Sequence, residues 1–472
     1  MNRRSFVEAS AAGLLSRFRV GADAPPGVIR AYTTQAQLEG AVVPDGPKVT
    51  TRWTGPGSAT WKIEVASADE YEAALCYACA EPGAQLVLSG GTGTLETNTR
   101  LTTGFYQDWS SNFERVLCRG SLHLPAGSTE LTLRLSKPQG KESVRLRSVE
   151  LTPVSWKPRL EGEERRATKA RASTDWLVKS GYGLMFHWTG QSKPRTGPPK
   201  TYAEAVRDFP MKDFVEMVQE TGAGHVLLTV NHAIPHCPAP IASWEKVHPG
   251  MTTSRDLLGE LADALAKADI RFLLYINSPS FGKMARAGSV GSSPGPSDAQ
   301  YVDMHCEMLN EIGKRYERKL HGYWFDSWYQ SFERYPKVQQ ERIFEACKTG
   351  NQDRITAFNF WILPVCTPWQ EYWAGEVSQP GPPASSRYIE RGAGAGLQFQ
   401  SLLYLDAPWV HSRPDTEMEP PRFSDDVLAS YVQSCMQNQG AVTVNLGIYQ
   451  DASIGPQARQ LMRSVRRKVR GS

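Results

Sequence analysis

From Asp175 onward the sequence switches repeatedly between two hydrophobic periods, and that alternation constrains the fold more tightly than any other feature. Runs such as His225-Val-Leu-Leu-Thr-Val and Arg271-Phe-Leu-Leu-Tyr-Ile are short and almost continuously apolar, as strands covered on both faces are. Between them, Met211-Lys-Asp-Phe-Val-Glu-Met-Val and Asp256-Leu-Leu-Gly-Glu-Leu-Ala-Asp-Ala-Leu place apolar residues at helical spacing, and Gly222 stops the first of these helices. Strands alternating with helices imply parallel pairing through crossover helices. The pattern predicts eight strands, over residues 182–186, 225–230, 271–276, 322–325, 354–358, 375–377, 397–403 and 441–444. Eight is the number that closes a (β/α)8 TIM-type barrel, and the length from residue 175 to 472 fits one. The sixth strand has the weakest pattern.

Upstream the period is two. Thr60-Trp-Lys-Ile-Glu-Val-Ala, Ala84-Gln-Leu-Val-Leu-Ser and Glu130-Leu-Thr-Leu-Arg-Leu alternate between apolar and polar residues and are separated by Gly, Pro and Ser turns. Residues 28–154 are therefore expected to form an antiparallel β-sandwich. Trp53, Trp61, Tyr106 and Trp109 are either a sugar-stacking platform on it or core aromatics. Residues 155–174 are charged and mixed in sign, a linker or first helix. Residues 1–27 carry twin arginines, Arg3 and Arg4, then a mildly apolar stretch and Ala22-Asp-Ala. That is the layout of a twin-arginine export signal, interrupted by Glu8, Arg17 and Arg19. It makes export to the periplasm or exterior the expectation.

Composition excludes several classes. Lys and Arg number 53 against 49 Asp and Glu, and without a basic stripe a nucleic-acid partner is not expected. No apolar run approaches the roughly 18 residues of a membrane span. Cys76 and Cys79 form a C-x-x-C within a strand-like run, and no second pair completes a zinc site. Most of the eight cysteines read as small buried hydrophobes, with a bridge to Cys118 left open.

In a barrel of parallel strands the loops after the strands build the site. The polar residues found there are His187-Trp188, Asn231-His232, Asn277, Asp326, Asn359, Glu376, Asp406 and Asn445. Acids, imidazoles and amides around one mouth suit a polyhydroxylated ligand, because each buried hydroxyl needs a partner and Trp covers a ring face. Asp326 is the sharpest candidate: it directly follows the apolar strand Gly322-Tyr-Trp-Phe, where a carboxylate is costly unless it lines a cleft. His187 closes Gly183-Leu-Met-Phe in the same manner.

These residues bring a family into view. Tyr182-Gly-Leu-Met-Phe-His-Trp resembles a strand of the α-L-fucosidases, glycoside hydrolase family 29. Thr221-Gly-Ala-Gly-His-Val-Leu-Leu-Thr-Val-Asn-His, Arg255-Asp-Leu-Leu-Gly-Glu-Leu, Tyr323-Trp-Phe-Asp-Ser and Gln439-Gly-Ala-Val-Thr-Val-Asn-Leu-Gly resemble further family segments, in family order. Leu124-Pro-Ala-Gly and the closing Leu-Thr-Pro of the upstream region resemble jelly-roll, galactose-binding-like carbohydrate-binding modules. The resemblance implies a retaining exo-glycosidase with no cofactor, acting on an oligosaccharide or polysaccharide. Asp326 would be the nucleophile and Glu376 the acid/base, with Glu371 and then Asp406 as alternatives. The two carboxyls would lie roughly 5–5.5 Å apart. Substrate-binding residues would be His187, Trp188, Asn231, His232, Trp324 and Trp373, with Trp373 among the apolar neighbours that raise the acid's pKa.

The sequence also departs from the family. The family's K-H-H-D-G-F stands here as Asn231-His-Ala-Ile-Pro-His, so its second histidine is Ala233. A lost buried hydrogen bond of that kind costs about 1–3 kcal/mol, enough to change which sugar fits. The competing readings are a carbohydrate-binding protein derived from a glycosidase, and a metal-dependent hydrolase using His187, His232 and Asp326.

Overall fold

The computed structural model describes residues 28–45, 50–102, 113–283, 295–335, 339–361, 363–377, 379–390, 394–406 and 409–471. The twin-arginine segment, Tyr106 and Trp109 lie outside them.

The first nine strands are β1 (Ile29–Tyr32), β2 (Gln37–Asp45), β3 (Thr50–Val65), β4 (Asp69–Ala78), β5 (Gln85–Gly90), β6 (Gly93–Asn98), β7 (Glu114–Leu124), β8 (Gly127–Lys137) and β9 (Val144–Pro153). They form one antiparallel hydrogen-bonded network of order β6-β5-β8-β3-β9-β4-β7, with β1 added on β9 and β2 on β3. The two-residue alternation read from the sequence is the alternation of burial. Along β8, Thr129, Leu131, Leu133 and Leu135 are buried, and the residues between them face outward. Trp53 and Trp61, at 0% and 1% exposure, belong to this sheet's own core, so neither is available for stacking on a sugar. Their indole N–H groups donate to Thr51 Oγ1 and to the Tyr32 carbonyl.

All eight cysteines are free thiols, and the bridge to Cys118 is not formed. Cys76 packs with the core of the C-terminal half, whereas Cys79 packs inside the N-terminal sheet and donates to the carbonyls of Glu81 and Ser143. Within the charged 155–174 region, residues Lys157–Ala170 form a helix held to the C-terminal half by Arg166–Glu341 and by the Trp369 indole on Glu163.

The second sheet comprises β10 (Tyr182–Phe186), β11 (His225–Asn231), β12 (Arg271–Asn277), β13 (Gly322–Asp326), β14 (Ile355–Phe358), β15 (Glu376–Val377), β16 (Gln400–Tyr404) and β17 (Ala441–Leu446). All pairings are parallel, in the order β14-β13-β12-β11-β10-β17-β16-β15. The eight expected strands are present. Among the described residues no ladder joins β14 to β15, so the ring of hydrogen bonds is open at that seam.

Strand parity sorts the side chains. Leu184, Phe186, Val226, Leu228, Leu274, Phe325 and Val444 face the helices in one large cluster, and Met185, Leu227, Leu273, Trp324, Ala357 and Leu402 form a separate inner cluster. The helices follow the sequence signals. Residues Met211–Thr221 bury Phe214, Met217 and Val218 and end at Gly222, whose φ of 73° is the left-handed cap. Residues Leu257–Lys267 start on the Asp256 side chain, which accepts from the Gly259 N–H. No helix among the described residues is long and apolar enough to cross a membrane.

Candidate active site

The same parity that makes the inner cluster carries one step further along each strand. His187, Asn277, Asp326, Asn359 and Asn445 stand in register above Met185, Leu273, Trp324, Ala357 and their neighbours at the C-terminal ends of the strands, whereas Asn231 follows a register shift in β11. Trp324, 2% exposed, is the floor: its ring stacks on Tyr275 at 5.1 Å and its indole N–H donates to the Ala374 carbonyl.

Asp326 ends β13 and receives four donors. Its Oδ2 accepts from the Tyr275 hydroxyl at 2.5 Å, Asn277 Nδ2 at 2.9 Å and Ser327 Oγ at 3.0 Å, and its Oδ1 accepts from Asn359 Nδ2 at 3.1 Å. Ser327 takes a left-handed backbone, φ 55°, rare for a residue with a side chain. Burial, with the neighbouring Asp326 carboxylate adding to it, holds the Tyr275 hydroxyl well above the usual phenol range, so Tyr275 remains a donor.

Glu376 opens β15 and does not follow it. It is delivered by Gly375 at φ 61°, where a Cβ would meet the Gln400 carbonyl oxygen at 1.9 Å, so only glycine fits. Asn359 Nδ2 donates to Glu376 Oε2 at 2.7 Å, and so bridges the two carboxylates. The bridged oxygens therefore lie no further apart than the 2.7 Å and 3.1 Å bonds laid end to end. Burial first, and then the charge of Asp326, push the Glu376 carboxyl up to about 8, against a smaller opposing pull from Asn359. One carboxylate is held by four donors and the other is pushed toward its neutral form, the division of labour an acid–nucleophile pair requires.

The other expected residues divide. His187 lies 4.7 Å from His232 and 5.5 Å from Tyr275, ring centroid to centroid. It is 3% exposed, neither of its ring nitrogens has a partner, and burial drives its pKa well down, so it is neutral. Asn231 serves the backbone instead of the mouth: its amide exchanges two hydrogen bonds of 3.0 Å with the main chain of Asn277 and so fixes the residue that holds Asp326. Trp188 has the outward parity and is 1% exposed. It packs against Phe209 and Tyr202 and donates to the Gln450 carbonyl. Trp373 also faces outward, against Phe399, so it is not placed to tune Glu376.

Glu371, the alternative acid, belongs to the opposite end of the sheet. It is buried in an ion pair with Lys348 and accepts from the N–H groups of Ala172 and Thr356. Asp406 receives the Gly447 N–H at 2.6 Å. Among the described residues no group of three or more His, Cys, Asp and Glu is placed to hold a metal ion.

Two residues that sequence reasoning missed belong here. Tyr275 shares the inward parity of Asn277, two residues on, and that spacing was the available signal. Tyr329 follows Asp326 by three residues. Its hydroxyl is raised by burial and by the charges of Asp326, Glu376 and Glu333, and its ring lies 6.0 Å from Trp361.

Two carboxyls bridged by one amide, Asp326 at the C-terminal end of β13 and Glu376 at the start of β15, with Glu376 pushed toward its neutral form, are the apparatus of a glycoside hydrolase. The chain belongs to the α-L-fucosidase family, whose model matches residues 200–466, more than half of its length. It is 32% identical over 107 residues to human tissue α-L-fucosidase, covering 20% of this chain and 23% of that one. With the macaque enzyme it shares 30% identity over 138 residues, or 22% and 29% of the two chains. The chain thus matches less than a third of the length of either of these relatives. Similar solved structures include α-L-fucosidase isoenzyme 1 from Paenibacillus thiaminolyticus, at 15% identity, a TM-score of 0.49 and coverage of 63% and 75%. A Lactobacillus casei α-L-fucosidase in complex with α-L-fucose matches at 14% identity, a TM-score of 0.44 and coverage of 63% and 97%.

Proposed function

We propose that the protein is a retaining exo-α-L-fucosidase, with Asp326 as nucleophile and Glu376 as acid/base. The observation that carries the reading is the Asn359 bridge. It keeps the two bridged oxygens within the combined length of its two bonds, below the roughly 6.5–9.5 Å that inverting enzymes leave for a water and compatible with the roughly 5–5.5 Å of retaining pairs. Asp326 attacks the anomeric carbon and the glycosidic C–O bond breaks, while the Glu376 proton goes to the leaving oxygen. An ester to Asp326 results, and its formation removes the charge that helps hold Glu376 neutral. Glu376, now a carboxylate, takes a proton from water; the water oxygen attacks the same carbon and frees Asp326. Oδ1, with one donor against three on Oδ2, is the less encumbered oxygen for attack. The reading takes the eight-stranded sheet as a (β/α)8 barrel open at one seam, and the N-terminal sheet as a jelly-roll sandwich.

Proton NMR of 4-nitrophenyl α-L-fucoside during hydrolysis tests this. α-L-Fucose is the expected first product, before mutarotation. The β-anomer appearing first would overturn the double displacement. Turnover of a different glycoside in place of the fucoside would support a changed sugar preference, which Ala233 in the family's second histidine position favours. Tyr275→Phe removes one hydrogen bond to a charged oxygen, worth about 1.5–3 kcal/mol. It should lower kcat/KM by about 10- to 100-fold with the thermal midpoint little altered, as paired kinetics and melting curves would show.

A further inference from the structure

The N-terminal sheet bears directly on the segment that follows Asp326. The helix Trp328–Arg334 begins two residues after that carboxylate. Glu333, on this helix, pairs with Arg147 of β9, and Arg147 is 5% exposed with its guanidinium 5.0 Å from the Tyr32 ring. Arg30 of β1 lies over the ring of Phe332 at 4.7 Å and pairs with Glu150 at 3.5 Å, which Arg115 also holds at 2.9 Å. Around these charges the packing is continuous: Cys76, Ala78 and Phe113 of the N-terminal region share one buried cluster with Phe332, Phe360 and Trp328. Arg147 is buried and Glu333 only half-buried, so removing Glu333 would leave the Arg147 guanidinium uncompensated inside the interface.

From this helix two contacts run to the carboxylates. Ser327, strained at φ 55°, donates to Asp326. Tyr329 packs against Trp361, whose N–H is held at 2.9 Å by Asn359 Oδ1, and the other end of that amide bridges Asp326 and Glu376. A shift of the helix would therefore move Ser327, Asp326 and the bridging amide together.

We propose that the N-terminal sheet is an integral part of the catalytic unit, bracing residues 326–334 through Arg147 on Glu333, and that Arg147 is a positioning residue for Asp326. This rests on the fucosidase reading for its kinetic consequence and on geometry alone for the brace. The aromatic residues Trp53 and Trp61 lie inside the sheet, and its contacts with the C-terminal half combine a shared buried apolar cluster with charge-matched pairs, as a permanent interface requires and a tethered sugar-binding module does not.

The test uses the full chain with Arg147→Met, Arg147→Lys and, as a distant control, Arg52→Met, which breaks a surface pair with Glu142. Hydrogen exchange of peptides spanning residues 322–335 is measured beside kcat and KM on the aryl fucoside. In Arg147→Met, exchange over 326–334 should rise about 10-fold, with β12 and β16 unchanged, as local opening of one unit predicts. Its kcat should fall about 10- to 100-fold, the scale of a misplacement of up to 1 Å. KM should change little, and Arg147→Lys should recover most of the loss. Folded Arg147→Met with unchanged exchange would overturn the proposal, as would raised exchange with unchanged kcat. Should Arg147→Met not fold, Glu333→Gln removes the same ion pair while keeping an oxygen for Arg147, and the same readings decide. A wild-type chain that turns over no fucoside would count against the fucosidase reading, while the exchange arm still decides the brace.

Discussion

Asp326→Asn should reduce hydrolysis of an aryl α-L-fucoside by roughly 10³- to 10⁶-fold in kcat, the range seen when a member of a catalytic group is removed. The loss has two sources. The amide cannot form the glycosyl ester, and its N–H₂ group meets a donor whichever way it turns, because Tyr275, Asn277 and Ser327 all point at Oδ2 and Asn359 points at Oδ1. Asp326→Ala gives the sharper result because it leaves space. Azide entering that space attacks from the face the carboxylate occupied, and one displacement inverts the centre, so the product should be β-fucosyl azide. Glu376→Ala with azide should instead give the α-azide, by two displacements. Proton NMR of the two products assigns both roles at once, and an exchange of the two outcomes would reverse them. Full activity in Asp326→Asn would remove Asp326 from the chemistry altogether.

The second large effect is on the acid. Glu376→Gln should lower kcat by about 10²- to 10⁴-fold on a fucosyl oligosaccharide, whose leaving oxygen needs the proton. It should matter far less for the first step with a dinitrophenyl fucoside, which leaves unaided. The pH dependence carries its own signature. Burial and the charge of Asp326 raise the Glu376 carboxyl to about 8. The group is therefore protonated and competent below that value, and wild-type kcat/KM should fall as pH rises through it. The variant should lack this alkaline limb. Stability follows the same sign. The folded chain binds this proton more tightly than the unfolded chain, whose carboxyl has its usual value near 4.3. The contribution is fully present below the unfolded value and is lost as pH rises through about 8. The melting temperature of Glu376→Gln should therefore gain on that of wild type between roughly pH 5 and 8. Parallel pH slopes for the two proteins would mean that Glu376 is not held neutral.

The strands and Asp326 were legible because both rest on one signal: a continuous apolar run ending in a carboxylate has few structural explanations. Which way each residue faces was harder. Trp188 and Trp373 are aromatic and lie beside inward positions, yet both pack on the helix-facing cluster, against Phe209 and Phe399. Counting in twos back from Asp326 reaches Trp324, and back from Asn277 reaches Tyr275. That count separates the floor and the missed donor from the outward tryptophans. In the N-terminal half the same count, applied to Trp61-Lys-Ile-Glu-Val, puts Trp61 on the buried face with Ile63 and Val65. The role of Asn231 is not legible, since a register shift precedes it in β11 and nothing in a sequence says that an amide will be taken up by the backbone of Asn277, 46 residues away. The bridge made by Asn359 was likewise invisible, because it depends on two loops meeting across the seam.

That seam bears on how the family can diverge. Asp326 closes a five-residue strand paired on both sides, so moving it by one residue would turn the whole strand inside out. Glu376 stands on a two-residue strand that, among the described residues, has a neighbour on one side only and no ladder to β14. The segment is held through the Ala374 carbonyl on the Trp324 indole and the Gly375 carbonyl on the Leu402 N–H, so the position of Glu376 depends on a few loop contacts instead of a full ladder. On the reading proposed above, a nucleophile at Asp326 is tied to one address in the sequence, whereas an acid at Glu376 depends on the local course of a single loop.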